Sequence, residues 1–461
     1  MRIRRLFIAN RGEIAVRINR AARELGMTVL QAHSEADTES LAVHLADEAV
    51  PIGPAPAAKS YLNIAAVVAA AKASGADAVH PGYGFLAENP RFADAVEAAG
   101  LIFVGPTGAT IRLLGDKVAA REAAARAGVP VVPGSDGRLT ELAEAGRLAE
   151  EIGFPVLIKA AAGGGGRGIR LARDAVELDR LLHQAAAEAQ AAFGDGGLYL
   201  EKAIARARHI EVQILGDGRR VVHCFERECS LQRRRQKVWE EAPAATLDAA
   251  HRQHITAAAV ALAEAVGYRG AGTVEFLYDD ATGAFYFLEV NTRIQVEHPV
   301  TECVTGLDLI QAMLRIAAGE PLPFRQEEIA LKGHAIEVRI NAEDPAKNFL
   351  PFPGTVGQLR VPGGPGVRFD TLLYPGYAIP PFYDSLLGKL IVWADDRARA
   401  LARLKRALGE LGIEGIKTTA PLFEALVDVE DVRRGAVHTR WLEGWLAAPQ
   451  GEAVRREARG G

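Results

Sequence analysis

The stretch Phe285-Tyr-Phe-Leu-Glu289-Val-Asn291-Thr-Arg293-Ile-Gln295-Val-Glu297-His298-Pro299 carries a polar side chain at every second position, with Val, Thr or Ile between. An extended chain turns successive side chains to opposite faces, so Glu289, Asn291, Arg293, Gln295 and Glu297 would share one face; a helix would scatter them. Two acids, two amides and a guanidinium are more varied chemistry than a solvated strand face needs. The run Gly272-Thr-Val-Glu275-Phe-Leu-Tyr is the natural hairpin partner, across a turn at Asp279–Ala284. Glu275 sits among apolar residues, where an unpaired carboxylate is expensive to bury. Pairing it with Glu289 brings like charges together, which a divalent cation relieves; Mg²⁺ (or Mn²⁺) on two carboxylates and a nucleotide's phosphates is the usual arrangement. The alternative is a structural, salt-bridged pair.

A second constraint is Lys159-Ala-Ala-Ala-Gly163-Gly-Gly-Gly166-Arg167-Gly168. Four consecutive glycines belong where the chain bends sharply or approaches a ligand. The loop lies between two strand-like runs, unlike a Walker loop, which opens a helix. A hairpin flap over phosphates, with its amides forming an anion nest, fits this placement, and a flexible surface turn is the alternative. The chain holds 11 lysines against 43 arginines, so a lysine at the end of an apolar strand, as at Lys159, points to a site needing a compact charge on a flexible stem.

Three further segments are ambiguous on local evidence. Leu198-Tyr-Leu-Glu201-Lys202-Ala203-Ile204 ends a strand at a domain junction, where nucleotide pockets are often lined, but a solvated Glu-Lys pair reads equally well. Gln232-Arg-Arg-Arg235-Gln-Lys237 packs four positive charges into six residues and suits focusing of small anions in a cleft. Glu337, Arg339 and Asn341 share one strand face, where Arg339 could hold an oxyanion or a structural carboxylate; His209 with Glu211 repeats that alternation.

The 461 residues allow roughly three domains. The first stretch alternates strands at Arg5–Ala9, Met27–Gln31, Ala76–Val79 and Leu101–Val104 with helices at Glu13–Leu25 and Ile64–Ala73, which implies a parallel sheet. No G-x-G-x-x-G follows the first strand, so a dinucleotide fingerprint is absent. A connecting helix is expected at Ile111–Ala127. A small module follows, with helices at Leu139–Ile152 and Ala175–Ala192 and strands at Phe154–Ala160, Gly168–Ala172 and Leu198–Glu201. A β-rich, then mixed, body comes next, and a frayed tail begins near Pro449. A net charge of −4 gives no global attraction to nucleic acid or anionic membrane. There is no export signal and no membrane-length apolar run, and three cysteines without zinc spacing suit a reduced, cytoplasmic setting.

Together these segments resemble biotin carboxylases, of the ATP-grasp ligases. The likeness runs from residue 1 to about 447 through Ile8-Ala-Asn-Arg-Gly-Glu-Ile-Ala, His80-Pro-Gly-Tyr-Gly-Phe-Leu, Gly163–Gly168, Gln232–Val238, Glu289–Pro299 and Arg339-Ile-Asn-Ala-Glu-Asp. It implies a multidomain α/β and α+β chain with the ATP-grasp fold. A Rossmann-like N-terminal domain would span 1–130, a mobile lid 131–203, a mixed α+β catalytic domain 204–447 and a tail 448–461. It also implies that ATP and bicarbonate form carboxyphosphate, whose CO₂ is captured by the ureido nitrogen of biotin. This is the first half-reaction of an acetyl-CoA or other acyl-CoA carboxylase.

By the same resemblance Lys117, Lys159, Gly165, Gly166, Glu201, Lys202, Ala203, Ile204 and His209 bind ATP. Glu275, Glu289 and Asn291 hold the metal, while Lys237, Arg293, Gln295 and the Val296 backbone hold bicarbonate. Glu297 is the general base, Arg339 stabilises the biotin enolate, and Tyr83 helps form the biotin pocket. Arg235 stands where the family often has His, keeping a donor for a phosphate with a fixed charge added. No Met-Lys-Met biotin-acceptor tripeptide occurs in the chain, so a separate biotin carboxyl carrier protein and a carboxyltransferase are the expected partners, with a homodimer the common assembly. An ATP-grasp ligase carboxylating an amine would have no reason to keep Arg339 and His80–Leu86. A non-catalytic nucleotide sensor would have lost Glu297 or a metal ligand.

Overall fold

The β-α-β alternation folds into a five-stranded parallel sheet, ordered Glu48–Gly53, Thr28–Ser34, Arg5–Ile8, Ala78–His80, Ile102–Phe103. The computed structural model describes residues 3–135, 139, 142–160, 169–193, 196–449 and 451. The strand Glu48–Gly53 is an addition to the sequence reading. Its largely exposed run, with Pro51 in it, lacks an apolar signature and pairs only on its Thr28–Ser34 side. Strand order reverses beside Arg5–Ile8, which opens a crevice at the carboxyl ends of Arg5–Ile8 and Ala78–His80. Asn10 spans that crevice by donating to the carbonyls of Pro81 at 2.6 Å and Tyr83 at 2.8 Å. Gly82 makes the approach possible: its φ is +62°, and a Cβ there would lie 2.8 Å from Asn10 Nδ2.

The single helix expected at 111–127 is two helices, Gly108–Gly115 and Lys117–Arg126. Asp116 breaks them, because its carboxylate caps the amides of Val118 at 3.0 Å and Ala119 at 2.9 Å. The small module is an antiparallel sheet of Ile169–Ala172, Val156–Ala160 and Leu198–Lys202 covered by helices Leu142–Ile152 and Ala175–Phe193. The glycine loop, including Gly165 and Gly166, and the tail from 452 lie outside the described residues.

The body is one eight-stranded antiparallel sheet, ordered Phe285–Asn291, Arg269–Asp279, Ala207–Asp217, Val221–Arg233, Gln236–Ala242, His334–Asn341, Leu386–Ala394, Val367–Thr371. Strand alternation divides its faces. Ile210, Val212, Ile214, Val274 and Phe276 pack with Ile255, Ala259 and Leu262 of the helix Ala249–Ala265. Ile336, Val338, Leu390 and Val392 pack with Leu401, Leu404, Leu408 and Phe423. His209, Glu211, Gln213, Glu275, Arg339 and Lys389 hold the opposite parity and project from the other face.

The extended reading of 289–297 holds only to Asn291. Residues 292–297 then turn into the helix His298–Thr305, with Glu297 at its N-cap and Pro299 in its first turn. Proline's fixed φ suits that first turn and opposes a continuing strand. Strict alternation is lost there, and the neighbours Ile294 and Gln295 are both buried.

Glu241 clamps the body sheet to the helix Arg397–Glu410, accepting from Arg397 at 2.7 and 2.9 Å and lying 2.8 Å from His334 Nε2. Burial opposes its charge, but Arg397 and then His334 outweigh it and hold the carboxyl below the ordinary carboxylate range. A depressed folded value contributes stability in full above the unfolded value of about 4.3 and loses it as pH falls further. Glu241→Gln should therefore destabilise the protein by about 3 kcal/mol at pH 7, with the gap to wild type shrinking below about pH 4.3 in thermal unfolding.

Candidate active site

The polar face of the body sheet collects its charges around one ammonium. Lys237 Nζ donates to Glu275 and to Glu297 at 2.7 Å each, and to Glu211 at 2.5 Å. The three carboxylates come from the strand Ala207–Asp217, the strand Arg269–Asp279 and the N-cap of His298–Thr305. Burial works against the Lys237 charge, but these carboxylates hold its pKa well above the ordinary value. In return Lys237 leads the groups that keep Glu297 below the ordinary range despite burial, with Arg339 adding to it. Arg339 donates to Glu297 Oε2 at 2.9 Å and to Glu240 at 2.6 Å. Glu297 is thus an ionised carboxylate between two cations.

Amides complete the ring. Asn291 and Gln295 each donate to Glu275 Oε1, at 2.8 and 2.9 Å. Arg293 donates to Asn291 Oδ1 at 3.1 Å and to Glu88 at 2.9 Å. Glu88, from the parallel-sheet domain, also accepts from the Thr292 amide. Seven sequence-predicted groups, Lys237, Glu275, Asn291, Arg293, Gln295, Glu297 and Arg339, therefore converge, three of them from a turn where an extended strand was expected. Tyr83 makes no hydrogen bond to this ring, although the Arg339 charge reaches its hydroxyl; it donates to Glu13 in a cavity of about 120 Å³ at the strand-order reversal.

Glu275 and Glu289 face each other in register across the hairpin, as the sequence suggested. Glu289 meets solvent, yet the surrounding cleft walls and then Glu275 push it above the ordinary carboxylate range. Among the described residues it accepts no hydrogen bond. A hard divalent cation would relieve this repulsion with oxygen donors alone, so Glu275, Glu289 and Asn291 suit Mg²⁺. His209, Glu211 and Glu275 also bring ligand atoms within 4.8 Å of one another. There, however, Lys237 already balances the carboxylates, and His209 Nε2 is 3.0 Å from Glu275. Burial disfavours the His209 charge, but Glu275 outweighs it and pushes the imidazole up to about 9.

In the small module Lys159 pairs with Glu201 across adjacent strands. Lys202 and Ala203 donate their amides to the carbonyls of Pro133 at 2.8 Å and Pro155 at 2.9 Å, with half-buried Ile204 next. Lys117 opens its helix in solvent, and its charge is felt by Glu289. The basic run does not act as one patch. Arg233 pairs with Glu343 at 2.8 Å and stacks on Phe349, while Arg234 and Arg235 form an exposed turn with φ of 50° and 66°. Only Lys237 of the four reaches the carboxylate cluster.

Arg227 went unnoticed in sequence. It is fully buried opposite Glu211 and uses all five N–H groups, on Glu211 (2.6 Å), Gln213 (2.8 Å), Thr301 (2.9 Å), Thr273 (3.2 Å) and Gln295 (2.9 Å). Because Gln295 Oε1 accepts from Arg227, its NH₂ faces Glu275. The signal for it was a charge inside a Cys-flanked strand run, Cys224-Phe-Glu-Arg227-Glu-Cys229.

A small antiparallel module, a facing carboxylate pair and a buried cluster of carboxylates around one lysine are the parts of an ATP-grasp ligase. The family described as "Biotin carboxylase, N-terminal domain" matches residues 2–111. "Carbamoyl-phosphate synthase L chain, ATP binding domain" matches 116–325, and "Biotin carboxylase C-terminal domain" matches 337–444. The chain is 54% identical to a biotin carboxylase of Pseudomonas aeruginosa, over 96% of this chain and 98% of that protein. A biotin carboxylase from Campylobacter jejuni, solved as a β-γ-ATP complex, superposes with a TM-score of 0.90 at 47% identity, covering 96% of this chain and 99% of that one. The biotin carboxylase domain dimer of Hydrogenobacter thermophilus 2-oxoglutarate carboxylase, solved with MgADP, ADP and bicarbonate, gives 0.88 at 48% identity, covering 96% and 98%. The chain belongs to the biotin carboxylase family and is an ATP-dependent enzyme with biotin carboxylase activity.

Removing Arg227 leaves Glu211 buried with one cation fewer. Arg227→Met is expected to lower stability by about 3–5 kcal/mol, read as a fall in the thermal unfolding midpoint.

Proposed function

We propose that the ring around Lys237 binds bicarbonate and that Glu297 removes its proton. The bicarbonate oxygen so exposed attacks the γ-phosphorus of ATP, giving carboxyphosphate and ADP. The observation that carries this reading is the placement of Glu297 between Lys237 and Arg339. A base must be ionised before it can accept a proton, and the two cations can stabilise the anions formed on either side of it. Lys237, Arg293, Gln295 and the Val296 amide orient the bicarbonate. Lys117, Lys159, Glu201, Lys202, Ala203, Ile204, His209 and the loop of Gly165 and Gly166 bind the nucleotide, with Arg235 near its phosphates. Glu275, Glu289 and Asn291 hold Mg²⁺, which neutralises phosphate charge when bound.

Carboxyphosphate breaks its C–O bond to release CO₂ and phosphate inside the closed site. The released phosphate, formed as a trianion, takes the ureido N–H proton while Arg339 donates to the ureido oxygen, and the nitrogen then bonds to CO₂. Tyr83 lines the biotin pocket. In this reading residues 1–130 form the base, 131–203 a lid that closes over the nucleotide and excludes water, and 204–447 the catalytic body, with 448–461 a tail. Biotin arrives on a biotin carboxyl carrier protein. The likeness to a 2-oxoglutarate carboxylase domain makes the final acceptor, acyl-CoA or otherwise, a property of the carboxyltransferase partner. The same likeness, to a domain dimer, supports a homodimer. Three free cysteines support a cytoplasmic setting, and no helix of the described residues is long and apolar enough to cross a membrane.

Bicarbonate-dependent ADP release should rise when free biotin is added; no rise would remove this reading. Glu297→Gln should abolish turnover while ATP binding stays at the wild-type level. Full activity in that variant would exclude Glu297 as the base.

A further inference from the structure

Lys389 is one of the 11 lysines in an arginine-rich chain, and its side chain has no exposed surface. It lies mid-strand in Leu386-Leu-Gly-Lys389-Leu-Ile-Val, opposite Arg339 on one side and Asp370 on the other. Its Nζ donates to the carbonyl of Val296 at 2.8 Å and lies 3.2 Å from Glu13 Oε1. The same Glu13 oxygen accepts from the Tyr83 hydroxyl. Tyr83, Glu13, Lys389 and Val296 therefore form an unbroken polar chain from the cavity at the parallel-sheet crevice to the backbone between Gln295 and Glu297.

Each link is chemically specific. The Val296 carbonyl belongs to the turn 292–297, which has left the sheet and has no strand ladder to fix it. A buried ammonium under that carbonyl gives a charge-assisted bond where water cannot compete. An arginine would bring a planar fork of five N–H donors where the compact lysine ammonium meets the Val296 carbonyl and Glu13. Glu13 supplies the countercharge, and Tyr83 fixes that carboxylate from the cavity side.

We propose that Lys389 is a positioning residue that ties the wall of the biotin pocket to the bicarbonate-binding turn, so that Tyr83 and Glu297 are set by one buried bridge. The proposal rests on the functional reading above for what the two ends bind. It provides a route by which a ligand against Tyr83 acts on Glu297 without touching it. A merely structural Lys389 would balance Glu13 and leave the two ends independent.

The test uses the full chain with Tyr83→Phe, Lys389→Met and the double variant, following ADP release with and without free biotin. Tyr83→Phe keeps the ring and removes only the hydroxyl, so it should fold. Assayed without biotin, it should raise the KM for bicarbonate about threefold, with the KM for ATP unchanged. Lys389→Met should raise the same KM about tenfold. The double variant should be no worse than Lys389→Met, since both break one bridge. An unchanged bicarbonate KM in Tyr83→Phe overturns the proposal, whether or not Lys389→Met folds. So do losses that multiply in the double variant. Wild-type protein that ignores biotin would instead remove the functional reading, which separates the two failures.

Discussion

The active site depends on one ammonium that bridges three buried carboxylates. Glu211, Glu275 and Glu297 are each nearly or fully excluded from solvent, and each would take up a proton if left alone there. Lys237 touches all three, so removing its charge would change the protonation of the whole ring rather than of one partner. Arg227 and Arg339 extend the arrangement outward. They fix the far oxygens of Glu211 and Glu297 and leave the ring polar but ordered.

The sheet makes that arrangement rigid. Its apolar parity packs on helices, and its polar parity carries the charged cluster, so core and cluster groups are alternate residues of the same strands. The parallel-sheet domain then closes the cleft from the other side through ion pairs. Glu88 holds Arg293, Arg17 reaches Glu302 and Asp308, and Glu13 meets Lys389. These contacts join segments about 200 to 380 residues apart in sequence, and they make the geometry of the turn 292–297 a property of two domains.

Much of the site was legible because chemistry and periodicity coincided. Glu275 inside an apolar strand and Glu289 across a short turn implied a facing pair, and the register places them opposite each other. Lysine scarcity singled out Lys159. The same reasoning applied to Leu387-Gly-Lys389-Leu would have found Lys389, a lone lysine in an equally apolar run. Asn291, Arg293, Gln295 and Glu297, singled out by the alternation of 289–297, do meet in one cluster, but through a backbone that is extended only to Asn291. Pro299 and the Glu297 N-cap start a helix, and the side chains beyond Asn291 are gathered by hydrogen bonds instead of by a pleat.

The sequence alone determined the parallel-sheet alternation, the facing pair of Glu275 and Glu289 and, by resemblance, the family. Those follow from short-range periodicity, turn chemistry and motifs read along the chain. Only the tertiary structure decided which charge answers which. Arg227 could serve any acid until the strands placed Glu211 opposite it, and the basic run Arg233–Lys237 split between Glu343, solvent and the carboxylate ring. The reason is physical. The energy of a buried charge is set by distances of a few ångströms between residues remote in sequence, and no local pattern contains those distances.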